Sequence, residues 1–118
     1  MADMNNSKSD TVICRYTVKP GREAEMEQLF GLHWPALHKL GLVTEEPSRF
    51  FKEVPSGKPG EPKKPGTVYV EIFSWKTKAS PDQAHQSPEV MAVWDPMFEV
   101  CEVMEFPHFQ ELDLLKSS

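Results

Sequence analysis

The first clear pattern along the chain is an alternation of apolar and other side chains near its start. Every second position before a Pro-Gly pair is apolar or aromatic: Val12, Cys14, Tyr16 and Val18. In an extended chain a period of two places alternate side chains on opposite faces, so this pattern predicts a β-strand.

The period then lengthens to three and four residues, which predicts a helix over residues 22–40. Acidic residues near its start suit the positive end of the helix dipole, and Gly41 follows as a stop. Pro35 removes one N–H and crowds the carbonyl of Gly31, so we expect a kink rather than two separate helices. The apolar stripe of this helix consists of Met26, Leu29, Phe30, His33, Leu37 and Leu40.

Two further strands are predicted on either side of a long connection. Residues 43–54 form one strand, with Pro47 at an edge or a bulge, and residues 67–75 form the other. Residues 55–66 between them contain four prolines and three glycines, which cannot hold regular structure. We interpret this loop as a flexible spacer rather than a lid, because it contains no aromatic side chain.

The strand at 67–75 is apolar on both of its faces, with Glu71 as the exception. A strand of this kind is covered on both sides. One face carries Val68, Val70 and Ile72, and the other carries Tyr69, Phe73 and Trp75.

The second helical region has two start signals. Ser80 precedes Pro81 and lies three residues before Gln83, which predicts a capping box, and Ser87 precedes Pro88 in the same way. The helix that follows is interrupted by a proline, and residues 109–115 are the predicted last strand. The apolar stripe of that helix consists of Val90, Val93, Trp94, Met97, Cys101 and Met104.

The order βαβ-βαβ predicts a ferredoxin-like α+β fold with a four-stranded antiparallel sheet. Residues 1–10 are predicted to be a disordered tail, and residues 11–116 a single domain with the flexible loop at 55–66. Both helices must cover one face of the sheet, so the other face needs a cover of its own. We expect a second copy of the chain to supply it by packing on Tyr69, Phe73 and Trp75.

Charge and composition narrow the range of partners. The net charge is −5, whereas nucleic acids and anionic membranes bind basic faces, so neither partner is expected. No stretch approaches the roughly 20 apolar residues of a membrane span, and the first ten residues do not resemble a signal peptide. Cys14 and Cys101 lie far apart on apolar faces, which indicates buried, reduced thiols in a cytoplasmic protein.

Three segments together resemble the antibiotic biosynthesis monooxygenase-like family of the dimeric α+β barrel superfamily. They are Lys19-Pro20-Gly21-Arg22-Glu23-Ala24-Glu25-Met26, the strand ending at Trp75, and Ala84-His85-Gln86-Ser87-Pro88. The resemblance covers roughly residues 11–115. It implies a dimer whose two sheets face each other, with a pocket between helices and sheet in each subunit, and it leaves the chemistry open.

Haem and metal chemistry are not expected. The similar haem-degrading enzymes carry a Trp three residues before the Ser of the second helix start and a haem-ligating His seven residues after it. Here those positions are Ala84 and Trp94. His33 and His38 lie about 140° apart around a helix, so they do not form a ligand pair. No organic cofactor is expected either.

The resemblance also includes cofactor-free oxygenases, which need an aromatic-lined pocket, a base and a donor for the oxyanion. His33, on the apolar stripe, is the candidate base, and the alternative is a buried His bonded to a backbone carbonyl. His85 is a second catalytic candidate, or else a structural hydrogen-bonding residue at a loop. Trp34, Tyr69 and Trp94 are the expected substrate-binding residues, or else core.

Three functions remain open from the sequence. The leading hypothesis is a homodimeric, cofactor-independent monooxygenase-like protein that binds a small aromatic or apolar molecule. The alternatives are a non-catalytic ligand-binding or dimerisation module, and an isomerase or cyclase of the same superfamily. A cavity that is lined by His33 would favour catalysis, whereas tight packing with His33 bonded to backbone would favour the non-catalytic module.

Overall fold

The computed structural model describes residues 10–55, 57–60 and 66–115. The predicted tail at residues 1–9 and part of the predicted flexible loop (residues 56 and 61–65) lie outside the described residues, as do residues 116–118. The elements in chain order are β1 (Asp10–Val18), α1 (Glu23–Lys39), β2 (Arg49–Lys52), β3 (Thr67–Trp75), α2 (Ser80–His85), α3 (Pro88–Val100), β4 (Cys101–Glu105) and β5 (His108–Phe109).

The strands form one antiparallel sheet in the order β2-β3-β1-β4, and β5 pairs with the start of β1. The two strongest strand patterns in the sequence are the two central strands, β1 and β3, which pair along their whole length. This is the order of a ferredoxin-like fold, so the predicted fold class is confirmed. Asp10, which the sequence pattern assigned to the tail, is the first residue of β1.

The two faces of β3 are the reverse of what we expected. Tyr69 and Phe73 turn toward the helices, where their rings lie 5.4 Å from that of Phe30 and 5.6 Å from that of His33. The open face of the sheet instead carries Val68, Val70 and Ile72. Large aromatic rings fill the deep space between sheet and helices, whereas β-branched side chains suit a flat sheet surface.

The first helix follows its predicted stripe closely. The buried residues of α1 are Met26, Phe30, His33 and Leu37, and Pro35 lies inside one continuous helix. At its start the Glu23 carboxylate accepts a hydrogen bond from the backbone N–H of Gly21 at 3.0 Å. That glycine has φ +85°, which a residue with a side chain would adopt only with strain.

Strand β2 is shorter than predicted. It contains only four exposed residues, Arg49–Lys52, although residues 43–54 were expected to be extended. Val43 makes an isolated bridge to Trp75, and the residues between it and β2 include the predicted irregularity at Pro47. An edge strand forms backbone hydrogen bonds on one side only, so the residues at its ends are weakly held in the sheet.

The end of the second helical region also differs from the prediction. Helix α3 ends at Val100, and β4 begins at once with Cys101, so Cys101 and Met104 are not helical. Pairing of β4 with β1 overrides the helical spacing of these residues. The predicted strand at 109–115 is reduced to the two residues of β5, and residues 110–115 have no regular structure.

One of the two predicted caps is present. The Ser87 hydroxyl accepts a hydrogen bond from the backbone N–H of Val90 at 3.3 Å and so caps α3. Helix α2 instead begins after Ala79 with no side-chain cap, because the Ser80 hydroxyl accepts from the N–H of Thr77 at 3.1 Å. The capping box expected at Ser80 is therefore wrong.

Both cysteines are free and buried, as the sequence indicated. Burial raises the pKa of the Cys101 thiol to about 11 and raises that of Cys14 further, so both stay protonated near neutral pH. None of the helices in the described residues is both long enough and apolar enough to cross a membrane.

The Ser87 cap predicts a measurable cost of its removal. Ser87→Ala should lower the free energy of unfolding by about 1 kcal/mol, since the N–H of Val90 loses its acceptor. Ser87→Asp retains an acceptor at the same position and should stay close to the wild type. Urea unfolding followed by circular dichroism measures both variants, and equal stability of Ser87→Ala and wild type would contradict the cap.

Candidate active site

A carboxylate lies at the centre of the sheet, on the face that packs against the helices. Glu71 is the middle residue of β3, pairs with Cys14 of β1, and has no exposed surface. A buried charge is costly unless hydrogen bonds satisfy it. The Glu71 carboxylate accepts one from the Tyr16 hydroxyl at 2.6 Å and one from the Ser48 hydroxyl at 2.7 Å.

His33 of α1 completes this group. Its side chain is 3% exposed, and its Nδ1 lies 2.8 Å and 3.0 Å from the two carboxylate oxygens of Glu71. A carboxylate can only accept hydrogen bonds, so the Nδ1 atom carries the proton. The opposite ring nitrogen, Nε2, is then a hydrogen-bond acceptor with a free lone pair. It is buried and has no hydrogen-bond partner among the residues that the structure describes.

A cavity of about 140 Å³ lies against His33, between the sheet and helices α2 and α3. Its wall is mainly aromatic and aliphatic, and the described residues that line it include no Lys, Arg, Asp or Glu. Four lining residues, His85, Phe98, Phe106 and His108, are exposed, so the cavity opens to solvent beside them. The lining consists of Val12, Cys14, Tyr16, His33, Phe73, Trp75, Pro81, His85, Trp94, Met97, Phe98, Met104, Phe106 and His108.

Trp94 connects the two histidines that the sequence proposed as catalytic. Its ring lies 6.2 Å from that of His33 and 4.8 Å from that of His85, between centroids. His33 also meets the edge of Phe73 at 89°. The imidazole of His33 therefore sits between aromatic rings on one side and a carboxylate on the other, which fixes its orientation.

The structure brings three of the five predicted site residues to this cavity: His33, His85 and Trp94. Trp34 and Tyr69 are not in its lining, which corrects the expectation that they line the pocket. Trp34 stacks on His38 with centroids 4.4 Å apart. The Tyr69 hydroxyl donates to Glu27 at 2.6 Å, and burial together with this carboxylate raises the pKa of Tyr69.

Four polar residues of the site were not singled out from the sequence: Tyr16, Ser48, Glu71 and Asp10. Glu71 had a visible signal, because it is the charged exception in an otherwise apolar strand. Asp10 pairs with Nδ1 of His108 at 2.5 Å, which places a second His–carboxylate pair at the mouth of the cavity. Ser48 and Asp10 lie outside any regular apolar pattern, so nothing in the sequence marks them.

Within residues 10–55, 57–60 and 66–115, no three His, Cys, Asp or Glu side chains are grouped so that they could hold a metal ion. Ala84, at the first of the two haem-related positions, is fully buried. Trp94, at the second, forms part of the cavity wall.

Tyr16→Phe tests the anchoring of Glu71. The ring should stay packed on Phe30, at 5.3 Å, while Glu71 loses one donor. A hydrogen bond to a charged group contributes about 1.5–3 kcal/mol, so the free energy of unfolding should fall by that amount at neutral pH.

The same variant predicts a change at alkaline pH. Burial and the Glu71 charge raise the pKa of Tyr16 well above its ordinary value of 10. The unfolded chain therefore loses this proton before the folded one, and the stabilisation present below pH 10 is lost as the pH rises further. Urea unfolding at neutral pH and above pH 10 should show a smaller alkaline decline for Tyr16→Phe than for wild type. Equal declines would contradict the assigned contact.

Comparison with known proteins gives matches in structure only. No protein-family model matches the chain, and a search of curated protein sequences also finds no match. Among solved structures, SnoaB from Streptomyces nogalater, a cofactor-independent oxygenase, is 18% identical with a TM-score of 0.66, over 93% of this chain and 100% of its own. The Arabidopsis thaliana protein At3g17210 is 8% identical with a TM-score of 0.67, over 89% and 97% of the two chains.

A third similar structure comes from Bordetella bronchiseptica. That protein, provisionally named an antibiotic biosynthesis monooxygenase, is 16% identical with a TM-score of 0.65, over 89% of this chain and 99% of its own. At such low identity the likeness establishes the fold and not the reaction. The chain has the fold of the antibiotic biosynthesis monooxygenase-like proteins, as the resemblance in its sequence implied.

Proposed function

We propose that this protein is a cofactor-independent monooxygenase-like enzyme in which His33 acts as a general base on a small aromatic or apolar molecule. One observation carries the proposal. The Glu71 carboxylate fixes His33 by its Nδ1 atom, so the unpartnered Nε2 atom is left as an acceptor beside an apolar cavity. SnoaB, which has the same fold, is a cofactor-independent oxygenase, and this supports the class of reaction.

The proposed reaction begins with a proton transfer. Nε2 of His33 takes a proton from a phenolic or enolic group of the substrate, and Glu71 stabilises the imidazolium that forms. The electron-rich substrate anion then reduces molecular oxygen. One oxygen atom enters the substrate as a carbonyl oxygen, and the other leaves as water with the two hydrogen atoms that the substrate carbon loses. The reduction of O2 to these products takes four electrons, and the substrate supplies all of them.

His85 and Trp94 have supporting roles in this proposal. His85 is exposed at the mouth of the cavity, where it can exchange protons with solvent. Trp94 touches both histidines and offers a flat wall for a ring. Trp34 and Tyr69 have no role in this proposal, because Trp34 stacks on His38 and the Tyr69 hydroxyl donates to Glu27.

An isomerase or cyclase reaction is the second candidate, because it needs the same base in the same cavity and consumes no oxygen. A non-catalytic module is less well supported. The side-chain partner of His33 is a carboxylate rather than a backbone carbonyl, and such a pair fixes which ring nitrogen faces the cavity.

Oxygen uptake with single-ring quinols, and with the three-ring anthrone for comparison, tests the proposal. His33→Ala should lower the rate by about 10²- to 10⁴-fold, the usual contribution of a general base. His38→Ala is the matched control on the same helix. Its imidazole pairs with Glu45 at 2.9 Å and lies outside the cavity lining, so the rate should not change. Circular dichroism verifies that each variant is folded.

Two outcomes of this experiment would contradict the proposal. An uptake rate that His33→Ala leaves unchanged removes His33 as the base. Product formed without oxygen uptake, but still lost in His33→Ala, replaces the monooxygenase with the isomerase or cyclase.

We also propose that the protein is a homodimer. The open face of β3 carries Val68, Val70 and Ile72, and neighbouring strands add the exposed Phe51 and Val103. The register places these side chains on one side of the sheet, opposite the helices. A second copy of the same face is the simplest cover, since most oligomers are symmetric homodimers.

Ile72→Glu tests the dimer by placing a charge in the middle of this face. We expect the wild type to be dimeric in light scattering at micromolar concentration and Ile72→Glu to be monomeric. Leu32→Glu, on an exposed position of α1 (57% exposed), is the control and should remain dimeric. A monomeric wild type would contradict the proposal.

A cytoplasmic location belongs to the same proposal. Cys14 and Cys101 are both free and buried. Reduced cysteines of this kind are typical of proteins in a reducing compartment.

A further inference from the structure

The charge distribution around the cavity restricts what can enter it. Two histidines of the cavity lining are each hydrogen-bonded to a carboxylate, His33 to Glu71 and His108 to Asp10. Among the described residues, no lysine or arginine lines the cavity to balance a negative ligand. A carboxylate or phosphate would therefore lose its hydration and meet a negative potential, whereas an uncharged hydroxyl can donate to Nε2 of His33.

The size of the cavity limits the ligand to one ring. At about 140 Å³ it is close to the cavity of about 150 Å³ that holds benzene in an engineered protein, and smaller than the roughly 300 Å³ at which pockets for drug-sized ligands begin. Phe73, Trp75, Trp94 and Met97 form apolar walls. Phe73, Trp75 and Met97 are at least 95% buried, so close packing limits how far these walls can move apart for a second ring.

The mouth of the cavity permits a substituent on that ring. Phe98 and Phe106 are 46% and 44% exposed there. A ring whose hydroxyl points to His33 would direct its opposite edge toward the mouth, where an uncharged group can be placed but a carboxylate would approach the Asp10 carboxylate that holds His108.

We propose that the ligand of this site is an uncharged, single-ring phenol or cyclic enol whose hydroxyl donates to Nε2 of His33. The inference rests on the proposed function, since it takes His33 as the base. Proton transfer within this complex breaks the O–H bond of the ligand and forms an N–H bond on Nε2. It leaves a phenolate beside an imidazolium that Glu71 still holds, so the total charge of the site does not change.

Binding of three probes tests the ligand class. We would titrate the full-length protein by calorimetry with 4-cyanophenol, 4-hydroxybenzoate and anthrone. 4-Cyanophenol should bind at least about tenfold more tightly than either of the others, a difference of about 1.4 kcal/mol. Its absorption should shift toward that of the phenolate on binding, and His33→Gln should abolish this shift while a folded cavity still binds the ring.

Enlarging the cavity tests the size limit, because a wider cavity should bind a two-ring ligand. Met97→Ala removes a buried wall residue and should admit the two-ring 1-naphthol, which the wild type excludes. Trp94→Phe enlarges the partly exposed side of the same wall and serves if Met97→Ala does not fold. Failure of both folded variants to gain naphthol binding would overturn the size limit.

The outcomes separate this inference from the proposed function. If 4-cyanophenol does not bind but anthrone binds and is oxidised, the single-ring class is wrong and the oxygenase proposal stands. If 4-cyanophenol binds with the phenolate shift but no quinol or anthrone consumes oxygen, the ligand class stands and the oxygenase proposal fails. Equal binding of 4-hydroxybenzoate and 4-cyanophenol would overturn the charge argument.

Discussion

A carboxylate with no exposed surface must find several hydrogen-bond donors, or its burial would cost several kcal/mol. Glu71 finds them on three parts of the chain: Tyr16 on β1, His33 on α1, and Ser48 in the segment before β2. The contact therefore fixes the sheet, the first helix and a connecting segment relative to one another. It also makes a polar centre beside the main cluster of buried apolar side chains.

The same contact determines the chemistry of His33. Its protonated Nδ1 atom faces Glu71, so the ring presents Nε2 on its other side as a base. A backbone carbonyl in place of Glu71 would also fix the tautomer, but it would not stabilise the charge of an imidazolium to the same extent. Glu71 is a positioning residue in this scheme, because it acts through His33 and is not in the cavity lining.

Much of the architecture could be predicted from the sequence. β1, β3 and α1 have uninterrupted periods of two or of three and four, and His33 lay on the buried stripe of α1. The faces of β3 were assigned in reverse, because an alternation defines two sets of side chains without saying which set meets a helix. The end of α3 was not predicted, because the spacing of Cys101 and Met104 fits a helix as well as a strand. Only the pairing of this segment with β1 shows that it is a strand.

Glu71 was harder to interpret, because its surroundings come from distant parts of the sequence. A lone acidic residue in an apolar strand predicts either an exposed position or a satisfied buried charge. The donors that decide between these lie 55, 38 and 23 residues away.

On β3 the neighbouring positions Val70 and Ile72 point to the opposite, open face of the sheet. Covering that face with a second copy would exclude water from both sides of the strand that carries Glu71. The proposed dimer would therefore strengthen the hydrogen bonds that orient His33, although no residue of the second copy needs to enter the cavity.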